Sequence, residues 1–166
     1  MKRIPLSIMI SIIMVLLVAG GALAATLNFR AHMQANEIIP LPTTLDDSSA
    51  QGQANFKISD DEMSISYKIN VANIDKVTMA HIHMNSSVPG RNGPILVWLF
   101  PGTSSTAPGS PTDRIDGGLV QDTIYPTDVR GGFTWDQLLD FMRNEQVYVN
   151  VHSSDAPAGE INGHIH

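Results

Sequence analysis

Apolar and polar residues alternate through most of this chain, and that alternation constrains the fold more than any other feature. In residues 63–71, Met, Ile, Tyr, Ile and Val alternate with Ser, Ser, Lys and Asn. Successive side chains of a β-strand point to opposite faces, so this period of two predicts strands with one buried face. Comparable stretches predict about eight short strands, near residues 27–34, 54–58, 63–71, 77–84, 94–100, 118–123, 146–152 and 159–165.

One segment has a helical period instead. Between residues 134 and 144 apolar residues recur at the spacing of a single helix face, and Thr134 and Gln137 form a capping-box pair. We therefore predict one short helix near 134–144. Many short strands joined by turn-rich segments indicate an all-β fold, and the architecture that we predict is a Greek-key antiparallel β-sandwich.

The N-terminus has the pattern of an export segment. Lys2 and Arg3 precede an apolar stretch, and small residues follow as far as Ala25. This order is typical of a secretory signal peptide. An uncleaved membrane anchor is the alternative, because the 22 residues from Ile4 to Ala25 are long enough to span a bilayer. Residues 1–25 are thus a signal peptide or an anchor, and residues 26–166 are one domain outside the cytoplasm, either secreted or held at the cell surface.

Composition excludes several classes of protein. There is no cysteine, which excludes disulfide scaffolds and thiolate metal sites. Acidic residues outnumber basic ones 16 to 10, and two of the basic residues lie in the leader, so residues 26–166 carry a net charge of −8. Nucleic-acid binding needs a basic face, and we expect no nucleic-acid partner. Contact with a membrane is expected only through the N-terminal segment, if it stays attached.

Histidines occur on the polar side of several predicted strands. In residues 80–84, Ala-His-Ile-His-Met, His81 and His83 leave the same face of one strand. His152 lies in a second strand whose valines take the opposite face, and His164 lies on the polar side of the last strand. Three separate strands therefore present imidazole on one face. The remaining two histidines are interpreted as a surface ring, His32, and a terminal residue, His166.

Clustered neutral imidazoles favour transition-metal binding, so these four strand histidines are our predicted ligands. A histidine-only donor set favours copper by the Irving–Williams order, and zinc is also possible. Glu160 and Asn150 share the polar side of their strands, and we expect them to support the ligand rings by hydrogen bonds. The alternative for each histidine is a structural role without a metal.

The motifs around these histidines resemble a known family, the chordin (CHRD) domain, over residues 27–165. The resemblance rests on Phe29 to Pro40, Ala80 to His83, Gly90 to Pro94, Tyr148 to His152, and Ala158 to Gly163. It implies an exported module of a kind found in an animal signalling antagonist and, as lone domains, in bacteria and archaea. It implies no particular reaction or protein partner.

Two motifs, Ala80 to His83 and Val149 to His152, are also similar to copper-ligand motifs of copper/zinc superoxide dismutase, a Greek-key β-sandwich. That similarity implies copper-ligand roles for His81, His83 and His152. No histidine lies between His83 and His152, so the bridging and zinc ligands of the dismutase have no counterpart. Three functions stay open: an exported copper-binding module, a non-catalytic extracellular interaction module with structural histidines, and a dismutase-like copper enzyme.

Overall fold

The computed structural model describes residues 27–42, 45 and 48–166. The predicted signal peptide or anchor, residues 1–25, lies outside the described residues. Among the residues that are described, no helix has both the length and the apolar content that a membrane crossing requires.

The described chain forms one antiparallel sheet of eight strands, in the order β5-β4-β7-β8-β1-β2-β3-β6. The two end strands, β5 and β6, approach each other, so the sheet nearly closes on itself. Neighbours that are distant in sequence, such as β4 with β7 and β3 with β6, require Greek-key connections. The prediction of an all-β Greek-key antiparallel β-sandwich is confirmed, and because the single sheet nearly closes on itself we call the structure a barrel below. The strands are β1 Asn28–Gln34, β2 Gln51–Ile58, β3 Ile65–Ile74, β4 Val77–Met84, β5 Ile95–Phe100, β6 Ile115–Ile124, β7 Val147–Ser153 and β8 Ile161–His164.

The alternation of apolar and polar residues in the sequence corresponds to the buried and exposed faces of this sheet. Along β2 every second residue is buried, including Ala54, Phe56 and Ile58. On β3 the buried set includes Tyr67, whose hydroxyl donates to the Leu99 carbonyl at 2.7 Å. Burying such side chains contributes about 25 cal/mol per Å² of apolar surface, which is the main term that holds the sheet closed.

The predicted helix is present as α1, Trp135–Arg143. The Gln137 amide N–H donates to Thr134 Oγ1 at 3.2 Å, and the Thr134 N–H donates to Gln137 Oε1 at 2.9 Å, so the capping box is formed. The buried side chains of α1 join the hydrophobic core; they are Leu138, Leu139 and Met142.

Strand β6 differs from its predicted start at residue 118, because it already begins at Ile115. Gly117 and Gly118 pair with Val71 and Asn70 of β3 beside a register shift. Glycine contributes no side chain to the alternating pattern, so the first half of β6 gives no period-two signal. The loop that precedes β6 is correspondingly shorter than the sequence suggests.

Strand β7 departs from the half-buried pattern, because all seven of its residues are buried. Its valines belong to the hydrophobic core. Its other face carries Tyr148, Asn150 and His152, which the β4–β5 loop and the β7–β8 loop cover through hydrogen bonds. This covered polar face, outside the barrel core, holds the candidate site.

Candidate metal centre

The structure brings three of the four predicted histidine ligands together on the outer face of β4 and β7. The two strands pair antiparallel in an unbroken register from Met79 to Met84, in which His152 is opposite Met79 and therefore on the same face as His81 and His83. The ring centroids are 4.9 Å apart for His81 and His152, 5.3 Å for His81 and His83, and 5.9 Å for His83 and His152. One nitrogen of each ring lies within 4.8 Å of a nitrogen of both others. A metal–imidazole bond is about 2.0–2.1 Å long, so two nitrogens on one ion are at most about 4.2 Å apart, and the three rings could hold one ion once their nitrogens draw together.

Backbone carbonyls orient two of the rings. His83 Nδ1 lies 2.8 Å from the Gly93 oxygen, and His152 Nδ1 lies 3.0 Å from the Pro157 oxygen. A carbonyl only accepts, so Nδ1 carries the proton in each ring and Nε2 keeps the lone pair. This arrangement is the usual one for metal-ligating histidines, whose second nitrogen donates to a carbonyl or carboxylate.

His81 is the third ring of the cluster, and it contacts both His152 and Trp98. Its Nδ1 lies 3.1 Å from Nε2 of His152, and its ring meets the Trp98 ring edge-on with centroids 4.2 Å apart. Nε2 of His81 and Nε2 of His83 are buried without a hydrogen-bond partner among the described residues. An unpartnered buried polar atom costs about 1–3 kcal/mol, and two in one cluster fit the lone pairs of metal ligands.

Burial keeps these histidines neutral. It lowers the pKa of His81 from 6.5 to about 2, and charge repulsion from His152 and His83 adds to that effect. Burial also lowers the pKa of His152 to about 4, partly opposed by its hydrogen bond to Pro157. The pKa of His83 is lowered by burial and is partly restored by the Gly93 carbonyl. Neutral imidazole is the form that binds metal, so the cluster is ready to bind at neutral pH.

One asparagine ties together the two loops that supply the orienting carbonyls. Asn92 Nδ2 donates to the Ala158 carbonyl at 2.7 Å, which joins the β4–β5 loop to the β7–β8 loop. Asn92 Oδ1 accepts from the Tyr148 hydroxyl and from Asn150 Nδ2, each at 2.8 Å. Asn150 Nδ2 also donates to the Ala158 carbonyl at 2.9 Å. We call Asn92, Tyr148, Asn150 and Ala158 the loop clasp, because they fix both loops over the histidines.

The two supporting residues that were predicted from sequence take different places. Asn150 belongs to the loop clasp, so it is connected to the ligands through the loops and not by a direct hydrogen bond to a ring. Glu160 is 6% exposed, and its carboxylate accepts from the Ser48 hydroxyl at 3.0 Å. Within the described residues it has no hydrogen bond to a histidine of the cluster.

The fourth predicted ligand lies apart from the other three. His164 of β8 pairs with Tyr148, with ring centroids 6.4 Å apart, but it is exposed and is not in the group whose nitrogens converge. His164 nevertheless lies on the polar side of β8, because it is directly opposite Tyr148 of β7. His32 and His166 are exposed as well.

Sequence reasoning missed Asn92, Gly93 and Pro157 as parts of the site. Asn92-Gly93 is a common turn pair, and a turn signal gives no indication that these residues lie beside His83. The contacts of Pro157 and Gly93 are made by backbone oxygens, which every residue type has. A sequence pattern therefore contains no signal for them.

The chain matches the family described as the CHRD domain over residues 29–165, a range that contains all three clustered histidines. No curated protein and no solved structure matches it, so the likeness to superoxide dismutase remains one of short motifs. The family match covers most of the sequence, and this chain belongs to the CHRD domain family.

Proposed function

We propose that this CHRD domain is an exported copper-binding module that holds one ion through His81, His83 and His152. The observation that carries the proposal is the convergence of three buried nitrogens from these rings within 4.8 Å. The lowered pKa values of the rings and the carbonyls on two of the Nδ1 atoms support it. Export is inferred from the leader pattern of the first 25 residues.

Copper is the metal that we propose because of the donor set. The cluster within the described residues consists of imidazoles alone, without a carboxylate. For a given nitrogen site the divalent affinity order places copper above zinc. Zinc is the competing metal, and it is the one to add in a displacement experiment.

A structural role for the histidines is the second candidate, and specific contacts favour it. The 3.1 Å contact between His81 and His152 and the packing of His81 on Trp98 hold the rings without an ion. In that case the domain is a non-catalytic interaction module. The unpartnered Nε2 atoms of His81 and His83 speak against this alternative, because a structural histidine normally has both nitrogens satisfied.

A dismutase-like enzyme is the third function. Redox chemistry on superoxide needs an open coordination position at the metal. The three histidines are only 1%, 3% and 3% exposed, so they are closed to solvent in this structure. We therefore place binding ahead of catalysis, and a superoxide-consumption assay on the copper-loaded protein tests that order.

The test of copper binding is a stoichiometry and stability experiment on the untagged exported protein. We expect one copper per chain after desalting and a higher Tm with copper, because a ligand that binds only the native state stabilises it by about 2.7 kcal/mol at 100 times Kd. His83→Gln and His152→Gln should both lose the tightly bound ion. The matched control is His32→Gln, which changes an exposed histidine and should keep it.

Two outcomes of that experiment separate the candidates. Equal copper affinity in wild type, His83→Gln and His152→Gln contradicts the proposed site. An unchanged Tm on addition of one equivalent of copper favours structural histidines. His164→Gln is run in parallel, since a loss of affinity there adds the fourth predicted ligand to the site.

A further inference from the structure

We propose that the cluster of His81, His83 and His152 selects the cuprous ion over the cupric ion, an inference that rests on the proposed copper-binding function. It concerns the oxidation state of the bound copper ion, and therefore which copper ion the domain takes up and releases. Three properties of the cluster lead to it: its charge, its burial and its number of donors.

The first property is charge. All three donors are neutral imidazoles, and the group of converging residues in the described part of the chain contains no carboxylate. Glu160 is a buried carboxylate of the neighbouring loop, but it is engaged by the Ser48 hydroxyl. A bound ion therefore keeps its full formal charge, because no ligand offsets it.

The second property is burial. The three side chains are at most 3% exposed, and aromatic rings pack against two of them: Trp98 against His81, and Tyr148 stacked on His83 with centroids 5.3 Å apart. Moving an ion from water into such surroundings costs free energy that rises with the square of its charge. The cost for a divalent ion is thus about four times that for a monovalent one. Without an anionic ligand, this difference favours the singly charged ion.

The third property is the number and direction of the donors. Cupric ion favours four or more donors in a square-planar or tetragonal set. The cluster offers three rings, tilted to one another by 76°, 63° and 46°, and the remaining predicted ligand, His164, is exposed and outside the group. Cuprous ion has a filled d shell and accepts three nitrogen donors without a fourth. Geometry and charge therefore point to the same oxidation state.

The experiment measures both affinities on the full exported protein. Cuprous affinity is measured without oxygen by competition with bicinchoninate, and cupric affinity by competition with glycine, followed by electron paramagnetic resonance. We expect cuprous ion to bind at least about 100-fold more tightly. At 59 mV per tenfold ratio for one electron, the potential of the bound couple then lies at least about 120 mV above that of aqueous copper.

A charge variant tests the physical reason. His83→Asp introduces an anionic ligand, and we expect the ratio of cuprous to cupric affinity to fall by about tenfold or more. The control is His32→Asp, which adds the same charge at an exposed position outside the predicted ligand set and should change the ratio by less than about twofold. If His83→Asp does not fold, the wild-type ratio alone decides.

The outcomes are distinguishable. Copper that binds through the three histidines with equal or tighter cupric affinity overturns the cuprous preference and leaves the copper-binding proposal standing. An unchanged ratio in a folded, copper-binding His83→Asp protein overturns the charge argument. Failure to bind either ion overturns the proposed function and this inference with it.

Discussion

Acidification of the metal-free protein from pH 7 to pH 5 should remove a large part of its stability. The pKa values of His81 and His152 in the folded protein are about 2 and about 4, below the ordinary value of 6.5. The unfolded chain therefore takes up protons first as the pH falls. Stability that is present above pH 6.5 is lost progressively toward the folded-state pKa values.

The size of this loss of stability is estimated from His81 and His152. Each histidine that stays neutral in the folded state while the unfolded chain protonates costs about 1.4 kcal/mol per pH unit. Between pH 7 and pH 5 this amounts to about 2 kcal/mol per histidine, or about 4 kcal/mol for His81 and His152 together. Domains of this size are stable by only about 5–15 kcal/mol, so the effect is easily measured.

Urea unfolding at pH 7, 6 and 5, with a metal chelator present and tryptophan fluorescence as the signal, measures the effect. His81→Gln should reduce the difference in stability between pH 7 and pH 5 by about 2 kcal/mol, because Gln does not titrate. His32→Gln, at an exposed position, should retain all of it. A difference of less than about 1 kcal/mol between pH 7 and pH 5 in the wild type would refute the claim that these rings are buried and neutral.

Two further predictions concern the loops over the histidines. Asn92→Ala removes the central residue of the loop clasp without changing a predicted ligand. Copper affinity should fall by about 10–100-fold, while the circular dichroism spectrum stays that of the wild type. An unchanged Kd would show that the loops orient the rings without Asn92. Gly159 has φ +128°, and a Cβ there would lie 2.1 Å from Asn150 Oδ1, so Gly159→Ala should lower the free energy of unfolding by about 2–4 kcal/mol. Gly102→Ala is its control in the same urea measurement, because a Cβ at Gly102 meets nothing within 4 Å and should change stability by less than about 0.5 kcal/mol; an equal effect of the two substitutions would contradict the close-packing argument.

The fold was predictable because its information is local. In residues 65–71 of β3, the alternation of apolar and polar side chains predicts which face is buried and which is exposed. Thr134 and Gln137 likewise predict where the helix begins. The first half of β6 was not predictable, because Gly117 and Gly118 carry no such signal. The parity of a strand also says which face a residue takes, which correctly grouped His81, His83 and His152.

The rest of the site depends on long-range structure. His164 shares the polar parity of the other histidines, yet its position in a short strand next to Tyr148 leaves it exposed, and parity does not measure distance across a sheet. The orienting contacts at Gly93 and Pro157 come from backbone oxygens, and only the folded loops place them. Glu160 and Asn150 show the same limit, since their partners lie on segments remote in sequence.

Strand β7 has no residue that faces solvent: its valines fill the barrel and its remaining side chains serve the outer face where the histidines meet. The same short segment is therefore constrained twice, once by the interior volume and once by the ligand geometry. A change that is harmless to one requirement still has to satisfy the other. Evolutionary drift in this molecule has most freedom on strands such as β6, where most side chains are exposed or half-buried, and least freedom on β7.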